Sequence, residues 1–212
     1  MEAEAVKLSD VLVLLGAGGA TWWLWSRSRQ GEALLPASKA PKPLTPEERD
    51  RRYGPLIGRV KPTPTPTNPE ALTLPEGWAK ENITTINVPE LAKVPGAIGG
   101  RITLHRRVVE PFRTLIAAWK DAGLLGDVVS WDGTWNPRFI RGSTTAISTH
   151  AYATSFDLNA KGNGLNETPA PLGTTGSVLR LVPIAEKLGW AWGGRFKRVD
   201  GMHFEYVGEP GE

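Results

Sequence analysis

Ser148-Thr149-His150-Ala151-Tyr152-Ala153-Thr154-Ser155-Phe156-Asp157 sets an imidazole and a carboxylate seven residues apart. The chain has only 3 histidines, so a second one in a comparable setting is informative. It occurs near the C-terminus, in Asp200-Gly201-Met202-His203-Phe204-Glu205. His150, Asp157 and His203 are three ligands of the type a catalytic zinc uses, with a fourth position left for water. Asp200, three residues before His203, is a carboxylate free to take a proton from that water.

Working outward, the flanking segments read as a small α+β domain. Arg101 to His105 alternates like a strand, and Val108, Val109, Phe112, Leu115, Ile116 and Trp119 recur at helical spacing up to Gly123. Strands are expected at Asp127–Trp131, Thr154–Leu158, Trp190–Trp192 and His203–Val207. A second helix is expected at Ser177–Leu188, bent at Pro183. Lys161 to Gly173 reads as loop. Short strands with two segregated helices imply an antiparallel sheet in an α+β fold.

The combination Ser-x-His, six residues, Asp, then Trp-Gly-Gly-x-Phe and Asp-x-Met-His-Phe-Glu resembles the zinc D-alanyl-D-alanine carboxypeptidase family. That family includes the L-alanyl-D-glutamate endopeptidases of phage endolysins and is related in fold to the hedgehog signalling domain. The resembling stretch runs from about Trp78 to Val207. The resemblance implies Zn2+ held by His150, Asp157 and His203, with Asp200 as general base. It also implies an arginine near the oxyanion; Arg138 is chosen, with Arg141 the close alternative and a candidate for substrate binding. Ser148 is expected to bond the substrate. Glu205 either fixes an imidazole N–H of a ligand or pairs with a surface arginine. Two positions depart from the family pattern: Ala153 stands where glycine is typical, and Ser155 where alanine is typical.

Other candidates have plainer readings. His105 reads as a strand-end residue. Trp190 and Trp192 read as core and cleft wall. The pairs Gly99-Gly100 and Gly193-Gly194 read as turns, or as places where a substrate backbone comes close.

The N-terminal third has a different character. Val11 to Trp25 is uncharged and apolar, with Trp22, Trp23 and Trp25 beside Arg27 and Arg29. Residues 1–30 are therefore expected to form a membrane-anchor helix with an interfacial aromatic end. Of the 18 prolines, 10 fall between Pro36 and Pro75. Such density favours extended polyproline II, so residues 31–77 are expected to be a tether, whose Pro36–Pro75 stretch could span roughly 100 Å when fully extended. Thr45-Pro46-Glu47-Glu48 can start a short helix within it. The peptidase domain is then residues 78–212, and a chain begun near Leu72 is expected to act without the rest.

Composition narrows the chemistry. With 0 cysteines there is no thiolate metal site and no disulfide framework. A net charge of +3 decides little, and no nucleic-acid partner is expected. The expected substrate is a peptidoglycan stem peptide, cut as a carboxypeptidase or an endopeptidase. The protein is expected at a viral or inner membrane, with virion proteins as further partners. The alternative is a zinc-bearing wall-binding module, without hydrolysis, in a membrane-anchored structural protein.

Overall fold

The computed structural model describes residues 34–209. The anchor expected at 1–30 lies outside these residues. Among the described residues no helix is long and apolar enough to cross a membrane.

The first element contradicts the tether. Thr45 caps helix α1 (Pro46–Tyr53): its side chain accepts from the Glu48 N–H, and the Glu48 carboxylate accepts from the Thr45 N–H. This reciprocal capping box, with Pro46 in the first turn, needs no tertiary help to start a helix. Tyr53 and Leu56 are buried, as is Leu72 on the short hairpin of β1 (Lys61–Pro62) and β2 (Leu72–Thr73). All three belong to the same hydrophobic core as the rest of the fold. The prolines shape turns on this packed segment, and no boundary falls at Trp78. A chain begun at Leu72 lacks two side chains that are 0–1% exposed, worth about 3–6 kcal/mol of burial together. Against a total of about 5–15 kcal/mol that loss is severe. We expect urea denaturation to show a large stability loss for a start at Leu72 relative to a start at residue 34.

Helix α2 (Trp78–Asn82) leads into β3 (Ile83–Asn87), which pairs antiparallel with β4 (Arg101–His105). His105 ends β4 buried at 2% exposure. One ring nitrogen, Nε2, lies 3.0 Å from the Tyr53 carbonyl, and Nδ1 accepts the Arg107 N–H at 3.1 Å. It therefore clamps α1 to β4 as a neutral ring. Burial, reinforced by Arg107 and Arg106, lowers its pKa from 6.5 to about 4, against the pull of the Tyr53 carbonyl. Below pH 6.5 the unfolded chain binds this proton and the folded chain does not. Stability is thus full above 6.5 and falls as pH drops towards 4, by about 3 kcal/mol. The stability gap between wild type and His105→Gln should narrow by that amount across this window; a gap independent of pH would contradict the clamp.

Helix α3 (Val109–Asp121) turns Phe112, Leu115, Ile116 and Trp119 inward at helical spacing. Beyond it lies the main sheet, ordered β5-β6-β8-β7, all antiparallel. Its strands are β5 (Trp131–Gly133), β6 (Ser155–Leu158), β7 (Trp190–Trp192) and β8 (His203–Tyr206). Helix α4 (Val182–Lys187) precedes β7. One face of the sheet is aromatic: Phe156 stacks on Trp131 at 5.1 Å and on Phe204 at 5.3 Å, with Trp119 edge-on to both phenylalanines. Because strand side chains alternate, the opposite face of β6 and β8 carries Ser155, Asp157, His203 and Glu205. Register places Asp157 directly opposite His203 and Ser155 opposite Glu205.

Two elements begin later than expected. Asp127–Trp131 is not a strand: Leu125–Asp127 is a 3-10 turn, and Asn159 Oδ1 takes the Val129 and Ser130 N–H groups at 2.8 and 3.1 Å. The strand starts only at Trp131. Ser177–Leu188 is not one bent helix, because Pro183 sits in the first turn of α4, where its missing N–H costs nothing.

Candidate metal centre

Three elements bring His150, Asp157 and His203 together. Ser148 caps a 3-10 turn, Thr149–Ala151, that carries His150, and its side chain accepts the His150 N–H at 3.3 Å. Ser148 also lines the cleft in front of these residues. Asp157 comes from β6 and His203 from β8. Directly opposed residues on paired strands sit close enough for their side chains to meet. Ala153, at φ 54°, turns the chain from the 3-10 turn into β6. That left-handed backbone is the physical reason for glycine at this position in the family, and alanine costs roughly 1–2 kcal/mol there. Ser155 is fully buried.

The geometry fixes which atoms face inward. His150 Nδ1 is 2.8 Å from the Thr134 carbonyl, an acceptor, so Nδ1 carries the hydrogen and Nε2 presents a lone pair. His203 Nε2 lies 3.3 Å from Thr149 Oγ1 and 3.5 Å from Glu205 Oε2, which places its hydrogen there and the lone pair on Nδ1. These two lone-pair nitrogens are 3.2 Å apart. Asp157 joins them, with Oδ1 at 2.8 Å from His203 Nδ1 and Oδ2 at 3.2 Å from His150 Nε2. One ligand atom from each residue lies within 4.8 Å of the others, and all three residues are buried. Two lone pairs and a carboxylate converging out of water demand a cation. The donor set fits zinc: neutral imidazole and carboxylate, each already oriented from behind.

Burial favours the neutral His203 ring, yet its bonds to Asp157 and Glu205 outweigh burial and hold its pKa up at about 10. Burial likewise raises Asp157, but His150 and His203 pull it well below the ordinary carboxylate range.

His150 and His203 open onto a cleft of about 540 Å³. Asp200 lines it, outside the converging trio, and its Oδ1 is buried with no hydrogen-bond partner. Burial raises the Asp200 pKa; Asp157 adds to this, while His203, His150 and Arg138 oppose it. A carboxyl whose pKa is raised holds a proton more readily, which suits a group that takes and returns one. Arg138 and Arg141 both line the cleft. Arg138 is half-buried and feels Asp157 and Asp200; its pKa is pulled down by burial. Arg141 is exposed, its carbonyl accepting from Arg198 at 2.8 Å. Arg138 is placed by its own backbone: its carbonyl accepts the Ser148 N–H at 3.1 Å, tying it to the turn that carries His150.

The remaining candidates divide cleanly. His105 is a structural clamp and does not line the cleft. Trp190 is core, and Trp192 fixes the ligand loop by donating its indole N–H to the Gly201 carbonyl at 2.8 Å. Gly193 is needed for a close approach to this chain's own backbone, since a Cβ there would sit 2.3 Å from the Asp200 carbonyl oxygen. Glu205 Oε2 faces the His203 N–H, and Oε1 is 3.9 Å from Nη2 of Arg49, which is buried rather than a surface arginine. Arg49 and Pro43, both from the segment read as a tether, also line the cleft. The sequence signal for them was the capping box before Tyr53.

No curated protein and no solved structure matches the chain. Residues 141–206 match the family model described as D-alanyl-D-alanine carboxypeptidase, a match that holds all three converging ligands and Asp200 and supports the family resemblance carried by the motifs.

Proposed function

We propose that the protein is a zinc-dependent peptidase that hydrolyses peptidoglycan stem peptides. The observation that carries this reading is the convergence of His150 Nε2, His203 Nδ1 and an Asp157 carboxylate oxygen beside an unpartnered Asp200. The family match over the same residues supports a peptidase rather than a storage site. Bound at His150, Asp157 and His203, zinc supplies Lewis acidity and makes a water nucleophilic near neutral pH.

The chain's own residues do the rest. Asp200 takes the proton from the attacking water and hands it to the leaving amine. Arg138 offers guanidinium N–H groups to the negative charge that develops on the peptide carbonyl oxygen. Ser148 and Arg141 bind and orient the substrate backbone or carboxylate. Phe196, Leu165 and Met202 line the cleft and limit water. A binding module without hydrolysis has no use for a buried carboxylate with a free oxygen, so Asp200 weighs against that alternative.

As part of the same proposal, the Val11–Trp25 segment anchors the protein, and its arginine-rich flank suits a viral setting, in which the domain waits until a cell wall must be opened. Mass spectrometry of purified murein treated with the full chain tests the function. Free D-alanine identifies a carboxypeptidase, and new amino termini within the stem identify an endopeptidase. Intact stems after treatment with zinc-loaded protein would sink the proposal.

A further inference from the structure

Glu205 is 4% exposed and its Oε1 accepts no hydrogen bond among the described residues. A polar oxygen this deeply buried without a donor calls for a compensating partner. The guanidinium nearest to it is that of Arg49, itself 8% exposed, on α1. Arg49 is held in turn by the Leu44 carbonyl, 3.2 Å from Nη2. On its other side, Glu205 Oε2 meets the His203 ring at Nε2, and His203 Nδ1 faces Asp157. An unbroken line of side chains therefore runs from the N-terminal helix to the ligand cluster.

The helix is fastened independently of this line. Asp50 accepts from the Tyr152 hydroxyl at 2.6 Å and from the Leu56 N–H at 2.7 Å. Arg52 donates to the carbonyls of Val207 and Gly208, just past the end of β8. These contacts hold α1 against β8 and leave Arg49 to face Glu205. None of α1 falls within residues 141–206, the stretch matched by the family.

We propose that Arg49 is a positioning residue for the metal centre. By holding Glu205 in place, it keeps Oε2 facing the His203 N–H and leaves the Nδ1 lone pair turned towards Asp157 and His150. The inference rests on the reading of those three residues as a metal site. Partners that orient a metal-binding imidazole from behind typically govern affinity by about 10–100-fold.

The test is zinc affinity of the full chain, measured by competition with a chromophoric chelator and so independent of turnover. Wild type should bind zinc, and Arg49→Gln should bind it about 10–100-fold more weakly. Arg49→Lys, which restores the charge, should recover part of that loss. Asp50→Asn, which loosens the same helix without touching Glu205, should leave zinc affinity unchanged. Arg49→Gln combined with Glu205→Gln should be no weaker than Glu205→Gln alone, because the two act through one path. Should Arg49→Gln fail to fold, Glu205→Gln carries the test, and wild-type affinity in that variant overturns the proposal. Equal losses in Arg49→Gln and Asp50→Asn also overturn it, since they point to packing alone. If wild type binds no zinc, the metal reading and this inference fall together; if only the Arg49 and Glu205 variants are unaffected, the inference alone falls.

Discussion

Asp157→Ala is expected to bind no zinc and to lose stem-peptide hydrolysis by about 10³-fold or more, the equivalent of several kcal/mol of transition-state stabilisation. The size follows from position. Asp157 touches both imidazoles at 2.8 and 3.2 Å and supplies the only carboxylate in the converging group. Without it, two lone-pair nitrogens face each other with no negative charge to hold a cation. His150→Ala and His203→Ala should empty the site as well. Elemental analysis after chelation and reloading reads the result. Retention of a full equivalent of zinc in Asp157→Ala would remove Asp157 from the ligand set.

Asp200→Asn is expected to do something different: zinc stays, and the rate falls by roughly 10²–10⁴-fold, as for loss of a general base. Asparagine has nearly the same shape but cannot take a proton. Asp200 lines the cleft without joining the converging trio, so the ligand geometry has no reason to change. The backbone that places it is also untouched, since the Asp200 N–H bonds to the Gly193 carbonyl at 3.0 Å and its own carbonyl accepts the His203 N–H. If Asp200→Asn instead empties the site, Asp200 is a ligand and the division of roles made here is wrong.

These two predictions were within reach of the sequence because two short motifs mark the residues, although the fold joins them across 46 and 53 positions. Asp157 and His203 sit on strands whose alternation was readable, and one register brings them face to face. Strand β4 and helix α3 were equally legible, the first from alternation and the second from apolar residues at helical spacing. The shift of β5 was not. It depends on Asn159, some 30 positions away, whose side-chain oxygen captures the backbone donors of residues 129 and 130. No local pattern reports such a competition. Strand β3 was passed over for a similar reason: Ile83–Asn87 is too polar to declare itself and is a strand because β4 pairs with it.

The N-terminal segment shows how composition misleads. Prolines from 36 to 75 suggest an extended chain, since each removes a donor and fixes φ. Yet Asp50, Tyr53 and Leu56 make α1 part of the fold, through the Tyr152 hydroxyl, the His105 ring and the core. A proline-rich stretch punctuated by a capping box and two large apolar residues can pack like any other. That packing also puts Arg49 beside Glu205, so the part read as a spacer supplies a wall of the cleft. Thr134 and Thr149 were likewise missed as orienting partners of the two imidazoles, because a carbonyl and a hydroxyl leave no recognisable motif.

The most direct measurement of the central claim is anomalous diffraction at the zinc edge from crystals of the full chain grown with zinc. The account predicts one strong peak within bonding distance, roughly 2.0–2.2 Å, of His150 Nε2, His203 Nδ1 and an Asp157 oxygen, with Asp200 outside that shell. A peak elsewhere, or none in protein that still cleaves stem peptides at full rate, would contradict it.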